Sequence, residues 1–132
     1  RSATLSFGLI NPGLARLPGD AHVDALHLGA VDGEAVVAIG SIHPEGREGG
    51  ESPGYRIRGM ATAPTHRGQG LGRKVLLGLV HHARRRGGAE VWCNARTGAL
   101  TLYAREGFSA VTEVFEIEGI GPHVVMVKSC RA

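Results

Sequence analysis

Aromatic side chains are scarce: three Phe, two Tyr and one Trp make up 5% of 132 residues. Binders of single-stranded nucleic acid hold unpaired bases on stacked aromatic faces, so this poverty leaves no such platform and counts against a nucleic-acid partner. Cysteine is scarcer still. Cys93 and Cys130 have no metal-type spacing, and a small domain held by disulfides carries more of them. Two buried or partly buried thiols in a cytoplasmic protein are therefore expected. No apolar stretch approaches the roughly 18–20 residues of a membrane span, which argues against a membrane partner. The start, "RSATLSFGLINPG", lacks both the apolar core of a signal peptide and an initiating methionine, as in a processed or trimmed chain. The seven histidines form no recognisable ligand set, His81 and His82 being adjacent on a helix surface, so no metal is expected.

What remains is an ordinary globular balance, 42% apolar and 20% charged, long enough for one domain over residues 1–132. A net charge of +3 and a pI near 9.3 favour polyanionic ligands, a phosphorylated cofactor as readily as any other.

The apolar pattern gives the order of elements. Residues 3–10 are weakly amphipathic and stop at Asn11-Pro12-Gly13, which predicts a short helix and then a loop through residue 24. Leu26, Leu28 and Ala30 alternate as in a strand, and Asp32-Gly33 predicts a hairpin into "EAVVAIGSI". The tract 43–54, rich in Gly, Pro and charge, is expected to be a mobile connection. "YRIRGMAT" (55–62) is a third extended segment. From Gly70 to Arg86, Leu71, Val75, Leu76, Leu79, Val80 and Ala83 fall on one helical stripe. Arg84-Arg85-Arg86 then Gly87-Gly88 form a basic last turn and a glycine stop; the triplet reads as a solvated face complementing the helix dipole, with polyanion binding as the alternative. "EVWCN" (90–94) is a buried strand, "GALTLYAREGF" a second helix ending at Gly107, and strands follow around 110–117 and 123–128. The class is α/β, with a mixed sheet covered by helices.

Between the strand 55–62 and the long helix stands "THRGQGLGRK", three glycines at alternating positions where a helix begins. Each destabilises the first turn by roughly 0.5–1 kcal/mol relative to alanine, so packing or a ligand must offset them. A helix N-terminus offers unpaired N–H groups and partial positive charge, and glycines let a phosphate reach them. Arg67, Arg73 and Lys74 add charge at the rim. A Walker loop is absent, and Gly68-Gln69-Gly70-Leu71-Gly72-Arg73 fails the dinucleotide fingerprint at its last position. Glu90 lies at a ribose-binding distance downstream, but it precedes its strand instead of ending it.

The pattern Arg/Gln-x-x-Gly-x-Gly/Ala is met in full by Arg67 through Gly72, and here the sequence resembles the GNAT superfamily of acyl-CoA-dependent N-acetyltransferases. "RGMATAP", "NARTGALTLYAREGF" and "GIGPHVVMVK" resemble the neighbouring blocks of that family, over about residues 24–128. The resemblance implies the acyl-CoA N-acyltransferase fold: one mixed, mostly antiparallel sheet with a parallel pair of splayed strands, flanked by helices. It also implies that the family's first strand is missing from the N-terminus.

In this resemblance acetyl-CoA lies between the strands 55–62 and 90–94. Its pantetheine arm pairs with the edge at Met60, Ala61 and Thr62, and its diphosphate sits on the amides of Arg67, Gly68, Gln69, Gly70, Leu71 and Gly72, with Arg73 beside them. Tyr103 corresponds to the tyrosine that protonates the departing thiolate, the alternative being an aromatic packed in a helix. Asn94 offers an amide to pantetheine or a structural water, or else shapes a strand end. Arg105 reaches the 3′-phosphate of CoA or is an exposed helix arginine.

Attack needs a neutral amine. Many relatives carry a glutamate on the central strand as base, but "YRIRGMAT" has no carboxylate. His43, Glu113, Glu116 and His123 are candidates, His123 having a suitable intrinsic pKa; a water relay is preferred to any one of them. Cys93, mid-strand and without a histidine pattern beside it, is not expected to carry the acetyl group. The expected reaction is acetyl transfer to a primary amine by direct attack in a ternary complex. The alternative is a non-catalytic acyl-CoA-binding or regulatory domain. The acceptor, a small molecule or a peptide amine, is expected to be chosen by residues 5–22, 43–54 and 117–123. Such folds commonly dimerise, so the resemblance allows a homodimer.

Overall fold

The structure, a computed structural model, describes residues 5–9 and 23–131. Eight strands form one mixed sheet: β1 (Leu5–Leu9), β2 (Leu26–Asp32), β3 (Ala35–Pro44), β4 (Gly54–Thr62), β5 (Glu90–Arg96), β6 (Ser109–Ala110), β7 (Phe115–Ile117) and β8 (Gly121–Ser129). The order across the sheet is β1-β2-β3-β4-β5-β8-β6, with β7 also paired to β8. Every neighbouring pair is antiparallel except β4 and β5, joined by the crossover helix α1 (Leu71–Arg85). A shorter helix, α2 (Leu100–Arg105), follows β5 after one turn of 3₁₀ helix.

The helical stripe read from the sequence is the buried face of α1: Leu71, Val75, Leu76, Leu79, Val80 and Ala83 all lie in the core. Each fully buried large side chain is worth about 1.5–3 kcal/mol, more than enough to offset the glycines in α1. The helix rests on the sheet face that carries Ala30, Ala38, Ile42, Ile57 and Val91. It comes close because β3 has no side chain at Gly40, where Val75, Leu79 and Met60 meet the backbone.

Four expectations need correction. Residues 5–9 are a strand and not part of a helix: Leu5, Phe7 and Leu9 alternate with Ser6 and Gly8, and the edge of β2 pairs with all five. The period there is 2, and a free strand edge supplies the hydrogen bonds that so short a helix could not. The loop expected over 11–24 lies outside the described residues except for Val23 and Asp24. The hairpin turn is Gly33-Glu34, one residue later than Asp32-Gly33, since Asp32 pairs with Ala35. The strand expected around 110–117 is two pieces, β6 and β7, because Thr112 replaces a backbone partner and accepts the N–H of Val125 through its hydroxyl.

The fourth correction concerns the tract 43–54, which is fastened instead of mobile. Its ends belong to β3 and β4, and its middle is held to β5. Arg47 grips the buried Glu90 through Nε at 2.8 Å and Nη2 at 3.3 Å, and Trp92 donates its indole N–H to the Glu45 carbonyl at 2.7 Å. Glu90, weighed above as a ribose-binding acid, is thus the anchor of a loop.

Candidate active site

The parallel pair is hydrogen-bonded over three positions only, Gly54 to Glu90, Tyr55 to Val91 and Arg56 to Trp92. Beyond them β4 and β5 part, so the rest of β4 shows an unpaired edge toward β5. A bulge marks the parting. Gly59 and Met60 together oppose Gly40, with Gly59 at φ +66°, after which Ala61 and Thr62 pair again with β3. A left-handed residue in a bulge bends and twists its strand, and glycine adopts it without steric cost. Met60 turns its sulfur under α1 against Gly40. Met60, Ala61 and Thr62 therefore lie on the stretch of β4 that is not paired to β5.

After β4 the chain makes one 3₁₀ turn, Pro64–His66, pinned by His66 Nε2 to the Asp32 carboxylate at 2.8 Å. The glycine turn follows. Gly68 and Gly70 have φ +81° and +77°, and a Cβ at either would meet nothing within 4 Å. Packing therefore does not explain them; left-handed backbone and open space do. Gly70 caps α1 with no side-chain hydrogen bond among the described residues, and no acid stands in the first turn. The first intrahelical bond runs from Lys74 to the Gly70 carbonyl. The N–H groups of Leu71, Gly72 and Arg73 are thus left for an anion.

The side chains around this turn divide. Leu71 faces the core, so only its amide is available. Gly72 has ordinary contacts, with Thr62 and Leu102 at 3.5 and 3.8 Å from an ideal Cβ. Gln69 and Arg67 are exposed, Arg67 donating weakly to the Thr62 carbonyl at 3.4 Å. Arg73 is half committed: its Nε donates to Glu106 at 2.9 Å, tying α1 to the end of α2. Arg105 is exposed in the last turn of α2.

Tyr103, 5% exposed, directs its hydroxyl to the thiol of Cys93 on β5, which is 2% exposed. Burial pushes the Cys93 thiol up to about 12, with the hydrogen bond from Tyr103 working the other way. Burial also raises Tyr103 above the usual tyrosine value, and its cysteine neighbour adds to the rise. Tyr103 is therefore a neutral proton donor, and Cys93 is no nucleophile.

The opposite face of the sheet carries the polar groups. Alternation and register put Ser41, His43, Arg56, Arg58, Trp92, Asn94, Arg96 and His123 on it. Near the base of the parting Glu45 accepts from His43 Nε2 at 2.8 Å and Arg56 at 3.0 Å, with Arg58 at 3.6 Å. Burial alone would raise the Glu45 carboxyl, but the His43 hydrogen bond and the charges of Arg56 and Arg58 outweigh it and hold it below the usual range. The Arg56 guanidinium lies 4.8 Å over the Trp92 ring. Farther along, half-buried Asn94 pairs with Val125, and Arg96 with His123. His123, 4% exposed, donates Nδ1–H to the Gly121 carbonyl at 2.7 Å, which leaves Nε2 as the ring's acceptor. Glu113 and Glu116 are exposed, and Glu116 pairs with Pro122, out of phase with His123.

Sequence reasoning missed Arg96 and the Glu45 cluster. Arg96 was within reach, since it alternates with Trp92 and Asn94 in one strand. The Glu45 cluster was not, because a loop and two strands bring it together. Among the described residues no group of His, Cys, Asp and Glu is placed to hold a metal, and no helix is long and apolar enough to cross a membrane.

Comparison with known proteins points one way. The model of the Acetyltransferase (GNAT) family matches residues 12–108. The uncharacterised N-acetyltransferase YitI of Bacillus subtilis (strain 168) is 36% identical over 108 residues, 81% of this chain and 72% of its own. An acyl-CoA N-acyltransferase of Klebsiella pneumoniae superposes with a TM-score of 0.71 at 22% identity, over 98% of this chain and 99% of that one. A GNAT family acetyltransferase of Elizabethkingia anophelis, solved with acetyl-CoA bound, superposes with a TM-score of 0.67 at 15% identity, over 96% and 98%. The last two likenesses concern the fold.

Proposed function

The chain belongs to the Acetyltransferase (GNAT) family, and from that premise we propose that it transfers the acetyl group of acetyl-CoA to a primary amine of a small molecule or peptide. The observation that carries the reading is the open glycine turn beside an open strand edge. Three free amides and two left-handed glycines with empty space above them suit a diphosphate, and the unpaired edge at Met60–Thr62 suits the amides of pantetheine. Arg67, Gln69 and Arg73 line the diphosphate, Arg105 takes the 3′-phosphate, and Asn94 holds the pantetheine arm from β5.

Acetyl transfer is a direct attack in a ternary complex. The amine nitrogen bonds to the thioester carbon, the carbon–sulfur bond breaks, and the amine's proton leaves to His123 Nε2, directly or through one water. Tyr103 gives its proton to the departing thiolate, and solvent restores it. A carboxylate on β4 is not needed if His123 serves, because its Nδ1–H is already fixed and its other nitrogen accepts. A cytoplasmic location belongs to the same proposal and accords with two free thiols.

Calorimetric titration with acetyl-CoA tests the site. Gly70→Glu puts a carboxylate where the diphosphate sits. Gly70→Asn is its control, since asparagine tolerates left-handed backbone and adds no charge. Micromolar binding kept by the asparagine variant and abolished by the glutamate variant supports the reading; no binding by the wild type overturns it. Binding without thiol release on any amine favours the alternative, an acyl-CoA-binding regulatory domain.

A further inference from the structure

The acceptor's chemistry follows from Arg96 and His123, and the inference rests on the acetyl-transfer reading above. These residues are Cα partners across β5 and β8, so their side chains stand next to each other on the sheet face opposite α1. They occupy the end of β5 that lies beyond its pairing with β4. Arg96 is exposed and has no ion pair among the described residues. His123 is nearly buried, with Phe115 tilted against its ring at 6.2 Å, and its Nε2 has no hydrogen-bond partner among the described residues.

The bases of a free arginine and a free imidazole acceptor thus stand side by side on one face, their Cβ atoms about 5 Å apart by strand geometry. One acceptor carrying an amine and a carboxylate a few bonds apart can meet two such neighbours at once. We propose that the acceptor is an amine bearing a carboxylate, an amino acid in the broad sense. Arg96 grips the carboxylate and His123 Nε2 receives the amine's proton.

The planar fork of arginine matches a carboxylate with two parallel hydrogen bonds, which lysine cannot reproduce. Nearer the base of the parting, Arg56 already holds the carboxylate of Glu45, so the same face accommodates one such group within the protein itself. Two other acids of this region do not compete for Arg96 on that face: Glu116 is out of phase with His123, and Glu90 is engaged by Arg47. An aliphatic diamine or a free lysine side chain on a neutral peptide would leave Arg96 unmatched.

The test uses the whole chain with acetyl-CoA and pairs of acceptors: amino acids, including β- and γ-amino acids, against their carboxamides, with thiol release as readout. At least one acid is expected to exceed its carboxamide tenfold or more in kcat/KM. Arg96→Met raises KM for that acid tenfold or more and leaves the carboxamide unchanged, and Arg96→Lys lies between. Calorimetric affinity for acetyl-CoA stays the same in both variants, which also shows that they fold. Carboxamides or simple amines used as well as the acids overturn the proposal. So does an unchanged KM in Arg96→Met, or acetylation of an aminoalkyl phosphate with none of the amino acids. Each of these results leaves acetyl transfer standing. Failure of the wild type to bind acetyl-CoA removes both readings together.

Discussion

The hydroxyl of Tyr103 on α2 is engaged with the thiol of Cys93 on β5, both in buried side chains. Cys93 lies one residue past the last position at which β5 pairs with β4, and its side chain faces the helices. The phenol is therefore presented at the parting already hydrogen-bonded to a sulfur, protonated, and braced edge-on by Phe108 with ring centroids 5.4 Å apart. In the acetyl transfer proposed above, a thiolate leaving a thioester in the gap would be a stronger acceptor than a neutral thiol, which gives the hydroxyl reason to change partners.

Tyr103→Phe should accordingly lower kcat by about tenfold or more, within the range of a lost general acid, while KM for acetyl-CoA moves little. The fold should persist, because the ring packing remains. Steady-state kinetics over a range of acetyl-CoA concentrations checks this. Unchanged kcat with intact binding would leave Tyr103 as a packing residue.

Alkali should weaken the protein in a defined window. Below about pH 9 the Cys93 thiol is protonated in folded and unfolded chains alike. Between its ordinary 9.0 and about 12 only the unfolded chain loses the proton, so stability falls by about 1.4 kcal/mol per pH unit from this group. Tyr103, raised above 10.0, adds to the decline at the upper end. Urea unfolding of the wild type and Cys93→Ala at pH 8 and 10.5 should show a smaller loss in the variant.

Two neighbouring glycines should answer alanine in opposite senses. Gly70→Ala forces a left-handed backbone on a residue with a Cβ and should cost about 1 kcal/mol. Gly72→Ala sits inside α1 with room for its methyl and should be neutral or stabilising by up to about 1 kcal/mol. Thermal unfolding of the two variants distinguishes them, and equal losses would deny that conformation is what Gly70 supplies.

Arg47→Met leaves Glu90, 3% exposed, as a buried charge without its guanidinium, and the expected cost is about 3–5 kcal/mol. Joining it with Glu90→Met should restore much of the loss, since no charge then remains buried. The denaturant midpoints of the single and double variants measure the coupling.

Gly40→Ala would place a methyl 2.5 Å from the Met60 sulfur and 2.8 Å from Val75 Cγ1. Overpacking of this kind costs about 1–3 kcal/mol. Because the same contact sets α1 and Met60 against the sheet, acetyl-CoA affinity should fall with stability, which one calorimetric titration would show.

The helix α1 was legible because its apolar stripe repeats every 3.6 residues and its ends carry their own glycine signals. The glycine turn was legible because left-handed backbone has a direct residue code. By contrast, the strand Leu5–Leu9 depends on the edge of β2, more than fifteen residues away along the chain, and the loop at 45–53 depends on Glu90 and Trp92. Neither partner is marked by local spacing.

The sequence by itself determined the elements with a local cause: the crossover helix, the open turn before it, and the residue types able to hold a diphosphate. Tertiary structure decided where the strands part, which face each side chain takes, and that Arg96 stands beside His123, Tyr103 beside Cys93 and Glu45 among His43, Arg56 and Arg58. Those neighbours come from strand register and crossover connections. Register is fixed by burying one face of the whole sheet at once, a condition that no short window of residues contains.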